Sequence, residues 1–213
     1  MLFFINRCWI FFSALAIISY FKLANRLSVY NIENLPKSGG VLIASNHISL
    51  FEAIIIPSVI ISRMRRGKIF APAKIELFKS LILGLLLKSW GALPVKRGAS
   101  QLYVIRKIME LLKKEMVMFF PEGTRSKTGE LGKGNRMFGR LLLDAKPVVV
   151  PVRIFGTEKI LGVEDERPRL FHKIELKFGP PLDLEKYYSD SINRKEFSQK
   201  VTDTVMEAIS AIH

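Results

Sequence analysis

Short apolar runs recur along this chain at Ser28–Ile32, Val41–Ser45, Ile69–Ala71, Ala92–Val95, Val117–Phe120, Val148–Phe155 and Ile174–Phe178. Segments of helical periodicity lie between most of them, notably Gln101–Lys114, Arg136–Ala145 and Glu196–Ile212. Runs of this length bounded by Gly and Pro read as strands buried on both faces, and their alternation with helices predicts an α/β fold. The expected architecture is a mostly parallel mixed sheet flanked by helices. A length of 213 residues suits one such domain. In such folds reactive groups collect in the loops at the carboxyl ends of the strands, and the polar clusters of this sequence stand there.

Ahead of the first strand, Met1–Tyr20 is almost wholly apolar, interrupted only by Asn6 and Arg7 and followed by Lys22 and Arg26. As a helix it would be ~30 Å long, about the hydrocarbon thickness of a bilayer. The uninterrupted part, Cys8–Phe21, falls short of the roughly 20 residues of a comfortable crossing, so a tilted or half-inserted anchor competes with a spanning one. A cleaved signal is the weaker reading, because basic charge is sparse before the apolar run and no small-x-small site follows it. A buried core helix is weaker again, because Trp9, Phe11, Phe12, Tyr20 and Phe21 ring the helix rather than form one stripe. The expected division is residues 1–26 as an N-terminal membrane-anchoring helix and residues 27–213 as the α/β domain.

The formal net charge is +14 while 49% of residues are hydrophobic. Positive charge attracts nucleic acid, anionic lipid headgroups and acidic carrier proteins alike, and the apolar content favours lipid. No recognisable nucleic-acid-binding motif is present, so nucleic acid is not an expected partner. Cys8 is the single cysteine, which excludes an intramolecular disulfide and a cysteine zinc cluster; with histidines only at 47, 172 and 213, no metal site is expected.

Four clusters could carry chemistry. After Val41–Ser45 comes Asn46-His47-Ile48-Ser49-Leu50-Phe51-Glu52. A histidine at a strand-to-helix turn suits a general base, and a carboxylate in reach would hold its tautomer. Five residues apart on a continuous helix, His47 and Glu52 would point about 140° away from each other. They meet only if His47 precedes the helix and Glu52 lies in its first turn. Ser49-x-x-Glu52 is also a capping-box pattern, which predicts the same helix start near Ser49 without any catalysis.

The second cluster, Phe119-Phe120-Pro121-Glu122-Gly123-Thr124-Arg125-Ser126, follows Val117–Phe120. Gly123 permits a tight turn, and Thr124, Arg125 and Ser126 offer donors suited to phosphate. Glu122 could orient Arg125 or accept a hydrogen bond from a substrate hydroxyl; the bland alternative is a plain turn with a weak surface ion pair. The third, Gly91-Ala92-Leu93-Pro94-Val95-Lys96-Arg97-Gly98, adds positive potential through Lys96 and Arg97 or is a solvated basic loop. The fourth, Val148–Arg153, is a buried strand broken by Pro151, which suggests a sheet edge or a bulge near a site.

Taken in order, NHISLFE, GALPVKRG, FPEGTRS and VVVPVRI resemble the motifs of the glycerolipid acyltransferase family, which includes the 1-acylglycerol-3-phosphate acyltransferases; the resemblance covers roughly residues 30–180. It implies His47 as the general base with Glu52 as its partner. It also implies that Arg97, Glu122, Gly123, Thr124 and Arg125 shape the site for a phosphorylated acceptor, with Lys96 beside them. Glu52 stands where the family has Asp, and the added methylene moves the carboxylate by ~1.5 Å.

The implied reaction is direct transfer of a fatty acyl group from a thioester of coenzyme A or of an acidic acyl carrier protein to the free hydroxyl of 1-acylglycerol-3-phosphate, making phosphatidic acid, with no cofactor beyond the thioester co-substrate. Another lysolipid or glycerol-3-phosphate is the alternative acceptor, and a basic lipid- or nucleic-acid-binding module the non-enzymatic alternative. Cys8 lies in the apolar anchor and no serine sits in a Gly-x-Ser-x-Gly elbow, so no covalent intermediate is expected. Leu77–Trp90 is a candidate wall for the acyl chain or a second helix on a membrane surface. Lys22, Arg26, Arg63, Arg65, Arg66 and Lys68 could face anionic headgroups at about 1 kcal/mol each. The expected location is the cytoplasmic face of a bacterial inner membrane, with membrane lipids as partners.

Overall fold

Val41, Leu42, Ile43, Ala44 and Ser45 form a strand with every residue buried, and the rest of the molecule is arranged around it. The computed structural model describes residues 2–64, 67–96, 101–188 and 194–213. Its strands are β1 (Ser28–Tyr30), β2 (Val41–Ser45), β3 (Ala71–Lys74), β4 (Ala92–Val95), β5 (Met116–Phe119), β6 (Val148–Phe155) and β7 (Glu175–Phe178). The main sheet runs β1-β7-β6-β2-β5, and β3 and β4 form a second, two-stranded sheet. Phe70 joins the two, pairing parallel to Val117, with its N–H donating to the Met116 carbonyl at 3.0 Å and its own carbonyl accepting from Met118 N–H at 2.7 Å.

Among the described residues, the pairings between these strands are parallel except that of β6 with β7, to which an isolated antiparallel bridge of Val149 with Leu182 is added. The mostly parallel mixed sheet read from the apolar runs is therefore the fold. The helices are α1 (Leu2–Asn25), α2 (Glu52–Met64), α3 (Leu81–Trp90), α4 (Gln101–Leu111), α5 (Arg136–Ala145), α6 (Thr157–Ile160), α7 (Glu185–Tyr188) and α8 (Arg194–Ser210).

Alternation along β2 sends Val41 and Ile43 to one face and Leu42 and Ala44 to the other. The first face packs against Ile10, Ala14 and Ile18 of α1 and Ile55, Ile56 and Val59 of α2. The second packs against Ile108 of α4, Phe138 and Leu141 of α5, and Val201, Val205 and Ile209 of α8. Gly139 lets α5 and α8 touch, since a Cβ there would lie 1.8 Å from the Ser198 carbonyl oxygen.

Pro151 does not mark a sheet edge. Strand β6 is interior, paired with β2 over residues 148–152 and with β7 only from Val152 onward. The Pro151 carbonyl accepts from Gly179 N–H at 2.8 Å, so its N–H-less nitrogen faces the side where β7 has already ended. Antiparallel register opposes Pro151 to Gly179, one step past the end of β7, so the missing N–H forgoes only the reciprocal bond of that terminal pair.

Helix α1 buries a stripe of Ile10, Ala14, Ile18 and Phe21, a helical spacing, against α2 and the sheet. The core-helix element that the ring of aromatics argued against is thus present on one side of it. The other sides leave Ile5, Trp9, Phe12, Leu15, Tyr20 and Leu23 exposed. By length and composition Ile5–Asn25 is also apolar enough to cross a membrane. Ile10, Ala14, Ile18 and Phe21, within the segment expected as the anchor, belong to the same core cluster as residues of β2, α2, β6 and β7. Helix α3 is tied to α1 by two cross-bonds, Trp9 Nε1 to Ser89 Oγ at 3.1 Å and Trp90 Nε1 to Ser13 Oγ at 3.0 Å.

Because β2 to β6 are mutually parallel, the carboxyl ends at Ser45, Lys74, Val95, Phe119 and Phe155 line one edge of the sheet. The candidate motifs converge on that edge.

Candidate active site

Chain direction at the end of β2 is set by Asn46. Its buried side chain extends the β2–β6 ladder by one step, Nδ2 donating to the Ile154 carbonyl at 2.9 Å and Oδ1 accepting from Ile154 N–H at 2.9 Å. An amide so satisfied fixes the main chain on both sides of it. His47 follows at once, outside any helix, and α2 begins at Glu52 rather than near Ser49.

That break lets the two side chains meet: His47 Nδ1 lies 3.0 Å from Glu52 Oε2. The same oxygen accepts Ser49 N–H at 2.8 Å. Base-partner and capping-box contacts, alternatives in the sequence, are made together by one carboxylate oxygen. Glu52 is fully buried, and a carboxylate there needs donors to replace water. Its other oxygen, Oε1, receives the Thr157 hydroxyl at 2.5 Å.

With Glu52 the acceptor, as it is for Ser49 N–H and the Thr157 hydroxyl, the ring proton of His47 is assigned to Nδ1. The Nε2 lone pair is left free to take a proton. The ring is stacked face to face on Phe120, with centroids 3.9 Å apart and planes 8° from parallel. Phe120 limits its tilt while 17% of the His47 side chain stays open to solvent.

The second motif braces the first. Glu122 Oε1 accepts His47 N–H at 2.8 Å and Oε2 accepts Gly132 N–H at 3.0 Å, while Ser126 N–H donates to the His47 carbonyl at 2.8 Å. Both main-chain polar groups of His47 are therefore held by the FPEGTRS loop. The expectation that Glu122 orients Arg125 gives way to this role as a splint between two main-chain segments. Burial raises the Glu122 pKa above the ordinary carboxylate range, opposed by the hydrogen bonds from His47 and Gly132. Gly132 is close for that reason, since a Cβ on it would sit 2.8 Å from Glu122 Oε2.

Gly123 adopts φ +73° and donates its N–H to the Phe120 carbonyl at 3.0 Å, the tight turn expected of it. Thr124 is exposed and Arg125 half-buried on the same loop. Lys96 is exposed just past the end of β4, on the same edge of the sheet. Arg97, expected beside it, lies outside the described residues, as do Arg65 and Arg66. Arg153 serves elsewhere: its guanidinium donates to the carbonyls of Ser210 and Ile212, at 2.5 Å and 3.0 Å, and so ties β6 to the end of α8. Among the described residues no group of three His, Cys, Asp or Glu side chains could hold a metal.

Sequence reasoning passed over Thr157, Phe120 as a ring platform, and Gly132. Thr157 carried one usable signal: like His47 and Glu122, it is a polar residue just past the carboxyl end of an apolar strand.

The chain has recognisable relatives among known proteins. The family model described as Acyltransferase matches residues 26–155. A chloroplast 1-acyl-sn-glycerol-3-phosphate acyltransferase of Arabidopsis thaliana is 34% identical over 170 residues, covering 76% of this chain and 43% of that protein. The enzyme of the same name from Bacillus subtilis is 35% identical over 116 residues, 54% of this chain and 56% of its own. The chain thus spans about half the length of the curated relatives it matches. Among solved structures, the 1-acyl-sn-glycerophosphate acyltransferase PlsC of Thermotoga maritima superposes with a TM-score of 0.67 over 97% of this chain and 80% of that one, at 22% identity, which is a likeness of fold.

Proposed function

This chain belongs to the acyltransferase family, and from that premise we propose that it moves a fatty acyl group from a thioester donor to the free hydroxyl of 1-acylglycerol-3-phosphate. The single observation that carries the reading is the His47–Glu52 pair at 3.0 Å, held at the edge of the sheet where the FPEGTRS loop also arrives. Glu52 keeps the proton of the ring on Nδ1, and Nε2 removes the proton of the acceptor hydroxyl. The alkoxide attacks the thioester carbonyl, the tetrahedral intermediate collapses, and the thiolate leaves, taking up the proton held by His47.

The phosphate of the acceptor is assigned to the basic side of the same edge, where Lys96 and Arg125 supply charge, Thr124 supplies its hydroxyl and Gly123 shapes the turn; the family resemblance adds Arg97, which lies outside the described residues. The donor is a coenzyme A or acyl carrier protein thioester, and no further cofactor enters the scheme.

Membrane association belongs to the same reading. The outer sides of α1 leave Trp9, Phe12 and Leu23 exposed, and α3 beside it turns Leu81, Ile82 and Leu85 outward at 77%, 83% and 59% exposure. Side chains directed outward suit a helix lying on a lipid surface and not the wall of an internal channel. The 3-10 turn Ile75–Lys79 and α3 follow directly from the carboxyl end of β3, so this apolar surface borders the edge that carries His47. We assign the location to the cytoplasmic face of a bacterial inner membrane, with Lys22 and Lys88 toward anionic headgroups.

The test is to offer purified protein a panel of lysolipids and glycerol-3-phosphate with each donor type and identify the product by mass. Phosphatidic acid formed from 1-acylglycerol-3-phosphate supports the reading. Transfer to other acceptors alone overturns the substrate assignment.

A further inference from the structure

Glu52 presents a difficulty of its own. Its side chain is one methylene longer than aspartate, and a longer side chain has one more rotatable bond through which to miss its target. A carboxylate that serves a general base must be held within a fraction of an ångström. Three donors surround it: His47 Nδ1 and Ser49 N–H on Oε2, and the Thr157 hydroxyl on Oε1. The first is the group being served, and the second comes from the turn that Glu52 itself caps. Only Thr157 comes from a distant part of the chain, 105 positions away.

The delivery of Thr157 to that oxygen is built in three steps. Parallel pairing of β6 with β2 brings Phe155 and Ser45 to the same edge. The Asn46 amide then locks onto both main-chain groups of Ile154, which fixes the end of β6 against the residue before His47. Gly156 turns the chain at φ +87° with no room for a side chain, since a Cβ would lie 2.0 Å from the Lys173 carbonyl oxygen. Thr157 follows, fully buried, with its hydroxyl against Glu52. A buried hydroxyl has one proton to give, and here it is given to the carboxylate.

The geometry points to Thr157 as the positioning residue that fixes the rotation of the Glu52 carboxylate, so that the longer acid of this chain presents Oε2 to His47. The assignment rests on the reading of His47 as the general base. It extends that reading by naming what holds the base's partner, a role for the turn after the Val-Pro strand. Because Thr157 touches neither the imidazole nor a substrate, its removal acts on turnover and leaves acceptor binding alone.

The experiment is a double-mutant cycle on the full-length protein with 1-acylglycerol-3-phosphate as acceptor. Thr157→Val, which keeps the shape and removes the proton, lowers kcat roughly ten- to hundredfold, as expected for losing one hydrogen bond to a charged group, and leaves KM for the acceptor within about twofold. Thr157→Ser restores the hydroxyl and recovers kcat to within about threefold of the parent. In a Glu52→Gln background Thr157→Val adds no further loss, because the two act as one unit. Should valine unfold the chain, judged by circular dichroism, Thr157→Ala, which removes the donor without adding bulk, takes its place.

A folded Thr157→Val or Thr157→Ala protein with parental kcat overturns the inference, and so does a loss that simply adds to that of Glu52→Gln. His47→Ala in the same assay separates the two levels. If it is inactive while Thr157→Val is unimpaired, only the positioning role falls. If it keeps its activity, the base assignment falls as well.

Discussion

Nδ1 of His47 and Oε2 of Glu52 lie 3.0 Å apart although five positions separate them, because the first precedes α2 and the second is the residue with which α2 begins. On one continuous helix they would diverge by about 140°. The strand end, the turn at Ser49 and the helix start are therefore a single device, and predictions about the site follow from how it is held.

Glu52→Gln leaves one amide oxygen to accept Ser49 N–H and His47 Nδ1–H, but it removes the negative charge that stabilises the imidazolium formed on proton abstraction and turns an NH2 toward the Thr157 hydroxyl. Acyl transfer falls roughly a hundredfold or more while the protein stays folded, by analogy with the loss of the orienting carboxylate in catalytic triads. Steady-state rates together with a far-ultraviolet circular dichroism spectrum check this.

Glu122 sets a pH dependence of stability. Its folded pKa is raised by burial, so the folded state binds this proton more tightly than the unfolded chain does. The corresponding stability is present below the ordinary carboxylate pKa and is lost as pH rises through the raised value. Comparing unfolding midpoints of the parent and Glu122→Gln from about pH 4 to about pH 8, the difference parent minus variant declines with rising pH and then levels. A difference that grows with pH contradicts the assigned direction.

Much of this arrangement is legible in the sequence. Val41–Ser45 announces itself as an interior strand by four apolar residues without a break up to Ser45, and the clusters after β2 and β5 mark one sheet edge once a parallel sheet is inferred. Pro151 misled because a proline in a strand signals an edge only where a ladder donor is needed, and that depends on where β7 stops. Along α1 a ring of apolar residues does not say which stripe a neighbour will cover, and here it is Ile10, Ala14, Ile18 and Phe21. The contact of Thr157 with Glu52 was out of reach because it spans 105 positions and depends on the Asn46–Ile154 lock, for which no local pattern exists.

The outward face of α3 makes a prediction about lipid. Leu81, Ile82 and Leu85 contribute little to the core at their exposure, so changing all three to Ser costs little stability. Partition onto vesicles containing phosphatidylglycerol falls roughly tenfold or more, since each side chain withdrawn from the interface forfeits on the order of 1 kcal/mol. Vesicle sedimentation measures it, and unchanged partition removes α3 from the membrane surface.

Arg153 offers a control away from the chemistry. Its two bonds to the carbonyls of Ser210 and Ile212 secure the end of α8 against β6, and Arg153→Met gives them up. Unfolding free energy falls by about 1.5–3 kcal/mol, the range for hydrogen bonds from a charged donor. Denaturant titration reads the change, and kcat at a temperature where the variant is folded stays close to that of the parent.

The most direct test of the account is the rate of acyl transfer to 1-acylglycerol-3-phosphate by His47→Ala under saturating substrates. Loss of the general base lowers kcat by roughly two to four orders of magnitude with the fold intact. A folded His47→Ala protein that turns over at a rate near the parent's would contradict the account.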